Sequence, residues 1–324
     1  MEEKKKPLIS ILMAVYDPNM DWFRQQLDSL NAQTYPNLRL FVRDDCSPHV
    51  PHAEIEALIR ERITAFPVRI ERNEKNLGSN LTFQRLTEET EGDFFAYCDQ
   101  DDVWMPDKLS RLQEAMEREK ALMVCSDMQV IDGEGKKLAD SITALRRHHV
   151  FRSGEGLAPG LLTLNFVTGC TMIVDARSAK AAVPFCPYMV HDHFLALFCA
   201  SRGVVYSLME PTIFYRQHGS NQTGIMTGVK DKESYRRVRI DSSLEKLHWL
   251  AERFADDPAL AAEITRTMEW MQLRQEHWDS RSKAARLWQY RDCGKAVTLF
   301  EEAAVYFPEK LFMWCIELAR KNVI

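Results

Sequence analysis

The chain lacks any apolar run long enough to serve as a secretory leader or to cross a membrane. Residues 1–6 read Met-Glu-Glu-Lys-Lys-Lys, and no extended hydrophobic stretch follows them. The expected compartment is the cytoplasm. The 8 cysteines include no Cys-x-x-Cys pair. Several stand inside apolar runs, which argues against a zinc site or disulfide framework and suits buried, reduced thiols. Internal repeats and low-complexity linkers are also missing. The net charge of −5 argues against general nucleic-acid binding. A diphosphate ligand would need local positive charge, which a bound metal supplies. Two nucleotide signatures are absent as well. No glycine loop ends in Gly-Lys-Ser/Thr, and no Gly-x-Gly-x-x-Gly follows the first strand.

What is present, in 324 residues of which 45% are hydrophobic, is an alternation of strand and helix signals. Leu8–Tyr16 is apolar almost throughout, as a strand buried on both faces of a parallel sheet must be. Phe23, Leu27 and Leu30 then mark a helix that returns the chain to a second strand at Leu38–Val42. That strand runs into Asp44 and Asp45; Asp45 would either close an Asx turn before Pro48 or accept a hydrogen bond from a ring N–H. After a third, short strand around Val68–Glu71, the loop from Asn73 to Asn80 places Asn76 and Gly78 before a helical segment. Such a start serves as a plain cap or offers free N–H groups to a ligand.

The strongest signal is the strand Phe94–Cys98, which leads directly into Asp99-Gln100-Asp101-Asp102. Three carboxylates in four residues repel one another. Mn2+ or Mg2+ would hold them, because these ions take hard oxygen ligands and are commonly shared with phosphates. Pro106 suits a first helical position, and Leu109, Leu112 and Met116 repeat at helical spacing. The cluster thus lies on a strand-to-helix loop, where open α/β sheets bind ligands. Further on, Phe166–Val174 reads as a strand entered through Gly169 and Cys170, and Arg146-Arg147-His148-His149 forms a basic loop, either solvated or facing an acceptor diphosphate. Val190-His191-Asp192-His193 opens a helix. Asp192 there serves as an N-cap, as a general base, or as both. Strands at Val204–Leu208 and Thr212–Tyr215 lead to Tyr215-Arg216-Gln217-His218-Gly219-Ser220-Asn221.

The ordered set of Tyr16, Asp44-Asp45, Asn76-Leu77-Gly78 and Asp99-Gln100-Asp101-Asp102 followed by Met105-Pro106-Asp107 resembles glycosyltransferase family 2 over roughly residues 7–224. The ending Tyr-Arg-x-His-Gly-Ser-Asn is similar to that of its rhamnosyltransferase-like members. The resemblance implies a GT-A fold, Rossmann-like with a mostly parallel central sheet flanked by helices. It also implies a nucleotide-sugar donor, a divalent cation and transfer with inversion. By the same resemblance Tyr16, Asp45, Asn76, Gly78 and Asp101 would meet the donor nucleotide, with Asp45 on a uracil or thymine N3–H. Arg216 and His218 would face the diphosphate, and Gly169 and Cys170 the acceptor. Asp101, Asp102 and His218 would form the metal shell, and Asp192 would be the base. The family's usual Asn after the first strand is Asp17 here, and its frequent Glu before the base is His191.

Beyond Thr227 the composition changes. Residues 230–324 carry 17 Lys or Arg against 16 Asp or Glu and hold five of the seven Trp. The expected division is a catalytic domain over residues 1–227 and a helical appendage over 228–324, packed on the catalytic domain or on a membrane surface. The function implied is transfer of rhamnose or a hexose from a dTDP- or UDP-sugar to a glycan or lipid-linked oligosaccharide in bacterial surface polysaccharide assembly, with peripheral membrane contact compatible with it. Two alternatives remain open on sequence alone. One is a haloacid-dehalogenase-like phosphatase, against which Asp102-Val103 stands in place of Gly-Thr; the other is a non-catalytic nucleotide-sugar-binding module.

Overall fold

The computed structural model describes residues 6–146, 149–218, 226, 228–282 and 284–320. Arg147 and His148 of the basic loop, Gly219-Ser220-Asn221 and Thr227 lie outside the described residues. The chain divides into two units. The first comprises residues 1–157, 166–185 and 190–218, and the second residues 158–165, 186–189 and 219–324.

In the first unit, strand β1 (Ile9–Val15) is the centre of a parallel group with β2 (Leu38–Asp44), β3 (Val68–Arg72) and β4 (Phe94–Cys98). Ile9, Ile11, Leu12, Met13 and Val15 are all buried, so β1 is covered on both faces. This is why its sequence shows no alternation. The remaining strands are β5 (Val103–Trp104), β6 (Met123–Ile131), β7 (Lys137–Ala139), β8 (Met172–Asp175) and β9 (Val205–Arg216). The order across the sheet is β3-β2-β1-β4-β8-β6-β9-β5, with β7 on β6. β8 runs antiparallel to both β4 and β6, while β6 and β9 are parallel. The parallel half supplies one ligand edge: Tyr16, Asp45, Asn73 and Asp99 each directly follow the carboxyl end of β1, β2, β3 or β4.

Helices α1 (Met20–Asn31), α2 (His52–Arg62), α3 (Ser79–Glu89) and α4 (Lys108–Glu119) connect these strands and bury one stripe each. In α4 the stripe includes Leu109, Leu112 and Met116, as the spacing predicts. Three local expectations change. Pro106 lies two residues before α4, because the two-residue strand β5 and a turn intervene. Gly169–Thr171 forms a 3-10 turn, and strand begins only at Met172. The two strands expected after Gly203 are one continuous β9, whose register on β6 shifts around Asp127.

The second unit is helical. It includes Lys232–Arg236, Ser242–Arg253, Pro258–Ser280, Lys295–Ala304 and Glu309–Arg320. Val229, Tyr235, Ala304, Phe312 and Ile316 form one of its buried clusters. Its interior also contains an ion pair. Arg274 Nε donates to Glu301 Oε2 at 2.7 Å, and the Tyr235 hydroxyl donates to Glu301 Oε1 at 2.8 Å. Removing one partner of such a pair strands the other in a low-dielectric interior. Glu301→Ala is expected to destabilise this unit by about 3–5 kcal/mol, read from urea unfolding followed by tryptophan fluorescence.

Candidate active site

The acidic loop between β4 and β5 is folded inward. Asp102 is fully buried; its Oδ1 accepts the Arg216 N–H at 2.9 Å, and its Oδ2 has no hydrogen-bond partner of normal geometry among the described residues. Burial first, and the neighbouring Asp101 second, push the Asp102 pKa up to about 7. Burial likewise raises Asp99 well above the usual carboxylate range, with Asp101, Asp102 and Asp192 adding to the push. Asp99, Asp102 and Cys170 offer ligand atoms within 4.8 Å of one another. The two carboxylates suit a divalent cation, whereas a thiol is a poor ligand for Mg2+.

The set expected from sequence divides differently. Asp101 Oδ2 meets His218 Nε2 at 2.8 Å, while Asp102 belongs with Asp99 and Cys170. Asp101, Asp102 and His218 are neighbours but do not close into one three-atom cluster among the described residues.

Beneath this acid stands Lys108, at the start of α4 and fully buried. Its ammonium donates to the Cys170 carbonyl and lies 3.7 Å from the centre of the Trp104 ring. Burial lowers its pKa to about 8, against the opposing pull of nearby acidic groups that include Asp102 and Asp99. The sequence reading missed this residue. The available signal was periodicity, since Lys108 shares the buried stripe of Leu112 and Ala115.

Arg216 has a different task from the one expected of it. It is buried, with Nε on the Asp101 carbonyl at 2.8 Å, Nη1 on the Asp132 and Gly133 carbonyls at 3.2 Å each, and Nη2 on Gln25 Oε1 at 2.7 Å. A guanidinium so occupied braces the acidic loop and has little left to offer a diphosphate. Trp22, also absent from the sequence reading, packs against His218 with ring centres 4.8 Å apart. Its Nε1 is fixed on the Gly133 carbonyl at 2.9 Å.

At the carboxyl end of β2, Asp45 is buried and organises the loop before α3. Its Oδ1 accepts from Asn73 Nδ2 and the Leu77 N–H, and its Oδ2 from the Gly78 N–H, each at 2.8 Å. Asn76 Oδ1 shares the Gly78 N–H at 2.9 Å. Gly78 has φ +79°, a conformation that favours glycine. Tyr16 leaves β1 with 44% of its surface exposed, while its backbone N–H and carbonyl are both bonded to the Gln100 side chain, at 2.8 and 3.0 Å. Gln100 therefore ties the acidic loop to the end of β1.

Asp192 is in the first turn of the helix His191–Ala200, but the N-cap position belongs to Val190. Its carboxylate does not cap this helix; Oδ2 accepts the Gly169 N–H at 2.8 Å from the 3-10 turn opposite. Gly169 is there because of His191. A Cβ at 169 would stand 2.7 Å from His191 Nε2 and 3.0 Å from Cε1. The His191 ring is buried, 4.1 Å from Phe83 between ring centres, with Nε2 unpartnered. Burial lowers its pKa from 6.5 to about 3.

This constellation at the carboxyl ends of a Rossmann-like sheet is that of an enzyme acting on a nucleotide-linked substrate, and comparison with known proteins specifies the class. The model of glycosyl transferase family 2 matches residues 10–177, and the chain belongs to that family. It is a glycosyltransferase. It is 25% identical over 267 residues to the dTDP-rhamnosyl transferase RfbG of Shigella flexneri, covering 76% of this chain and 85% of that one. It is 29% identical over 173 residues to the putative teichuronic acid biosynthesis glycosyltransferase TuaG of Bacillus subtilis, covering 52% of this chain and 63% of TuaG. The fold matches the crystal structure of S. aureus TarS 1-349 in complex with UDP-GlcNAc, at TM-score 0.58 and 13% identity, over 98% of this chain and 88% of that 1-349 chain. The architecture is thus GT-A, and membership of the family sets aside the phosphatase alternative. No helix of the described residues is long and apolar enough to cross a membrane.

Two predictions follow from the His191 wedge. Gly169→Ala should destabilise the protein by about 1–3 kcal/mol through overpacking, and His191→Ala in the same chain should recover part of that loss in a thermal-melt double-mutant cycle. Because the folded pKa of His191 lies below its unfolded value, the contribution is fully present above about pH 6.5 and is lost as pH falls toward about 3. His191→Phe is expected to flatten the pH dependence of stability across that window.

Proposed function

We propose that this enzyme moves rhamnose or a hexose from a dTDP- or UDP-sugar to a hydroxyl of a glycan or lipid-linked oligosaccharide, with inversion, in bacterial surface polysaccharide assembly. The observation that carries the catalytic part is the seating of Asp192. Its carboxylate is aimed by the Gly169 N–H and is close enough to the acidic loop to act on Asp99. Asp192 takes the proton from the acceptor hydroxyl, whose oxygen attacks the anomeric carbon as the bond to the nucleoside diphosphate breaks on the opposite face. One base suffices for that displacement.

Asp102 and Asp99, with the Asp101–His218 pair adjoining, would hold Mn2+ or Mg2+, which when bound neutralises charge growing on the leaving diphosphate. Asp45 accepts three N–H bonds, and a carboxylate has about four acceptor positions. The remaining position suits a pyrimidine N3–H, beside the exposed ring of Tyr16 and the Asn76–Gly78 turn. Gly169 and Cys170 border the acceptor. A dTDP-linked donor agrees with the relative from Shigella flexneri, and a UDP-linked one with the ligand of TarS. Peripheral contact with a membrane suits a lipid-linked acceptor, and Leu311 and Trp314 are exposed on the helix Glu309–Arg320.

A thermal-shift panel with and without Mn2+ tests the donor, using dTDP-rhamnose, UDP-glucose, UDP-galactose, UDP-N-acetylglucosamine and GDP-mannose. A ligand at a hundredfold its dissociation constant stabilises by about 2.7 kcal/mol, and one pyrimidine donor should give a metal-dependent shift. Asp192→Asn is expected to abolish transfer while keeping donor binding, whereas Asp102→Ala should weaken metal-dependent donor binding. Equal loss of donor binding in both variants would overturn this division of roles.

A further inference from the structure

A lysine ammonium is poorly suited to a protein interior, and Lys108 is buried completely although α4 has a solvent face available to it. What it gains there is specific. Its Nζ donates to the carbonyl of Cys170, and the residue before Cys170 is Gly169, whose N–H aims Asp192. The side chain of that same Cys170 lies with Asp99 and Asp102 in one cluster of ligand atoms within 4.8 Å of one another, so both carboxylates are near the ammonium and act on it through space. The Trp104 ring, 3.7 Å away, closes the remaining side. One side chain thus touches the turn that aims the base and stands under the carboxylates proposed to bind metal.

We propose that Lys108 is a positioning residue that couples the two halves of the site. Its charge offsets the crowded carboxylates of the acidic loop, and its hydrogen bond fixes the Gly169–Cys170 turn on which the alignment of Asp192 depends. The kinetic part rests on the transferase reading; the metal-binding part does not. A lysine whose only job is packing would leave cation affinity unchanged on replacement by an apolar side chain of similar length. A lysine that offsets the acid repels an incoming cation, so its removal strengthens cation binding.

The test compares full-length wild type with Lys108→Met and Lys108→Gln at pH 7.0, measuring Mn2+ binding by electron paramagnetic resonance and transfer by steady-state kinetics. Lys108→Met should bind Mn2+ about tenfold more tightly, yet lose about tenfold or more in kcat with donor KM little changed, because the turn is released. Lys108→Gln removes the charge but can still donate to the Cys170 carbonyl. It should share the tighter Mn2+ binding and recover part of the lost kcat. Unchanged or weaker Mn2+ binding in a folded variant overturns the proposal, as does failure of both variants to fold, which would make the lysine purely structural. Should wild type bind Mn2+ but transfer no sugar, the transferase reading falls and the comparison of Mn2+ affinities still decides the role of the charge.

Discussion

Mutual repulsion among carboxylates is the constraint around which the first unit is arranged. Asp99, Asp101, Asp102 and Asp192 are near enough for their charges to interact, and burial raises the pKa of Asp99 and Asp102 further. A fold tolerates this only if each negative group has something fixed to lean on. Asp102 has the Arg216 N–H, Asp101 has His218, and Asp192 has the Gly169 N–H. Lys108 supplies positive charge from below. Compensation remains incomplete at Asp102 and Asp99, whose pKa values burial holds up, as it would in a site shaped for a cation.

The scaffold answers the same constraint with rigid parts. The parallel strands β1, β2, β3 and β4 end on one edge, so residues far apart in sequence arrive together without long loops. β9 then brings Arg216 across to the acidic loop, where its guanidinium holds the Asp101, Asp132 and Gly133 carbonyls. Trp22 and Gln25 from α1 complete the support. Most of these contacts are to backbone, which fixes the path of the loops themselves. Side chains carried on such loops keep their directions before any ligand arrives.

Elements with many residues voting the same way were legible before folding. The unbroken apolar run of β1, the stripe of α4 and the acidic loop after β4 all stand where their patterns put them. Elements decided by one or two residues were not. β5 is only two residues long, and the 3-10 turn at Gly169 looks in sequence like the start of a strand. Asp192 looked like an N-cap because carboxylates favour that position, but the cap fell on Val190 and the carboxylate bonded across to another segment.

Local pattern alone set the α/β alternation, the placement of acid at strand ends and, through the order of the motifs, the family. Those properties depend on local periodicity and on the types of residue, which the chain carries with it. Packing settled which carboxylate pairs with which donor, that Arg216 braces backbone, that Lys108 is buried, and that the His191 ring crowds any Cβ at 169. Each of those outcomes depends on distances between segments tens of residues apart, and such distances are set by packing, about which a side chain's identity and spacing carry little information.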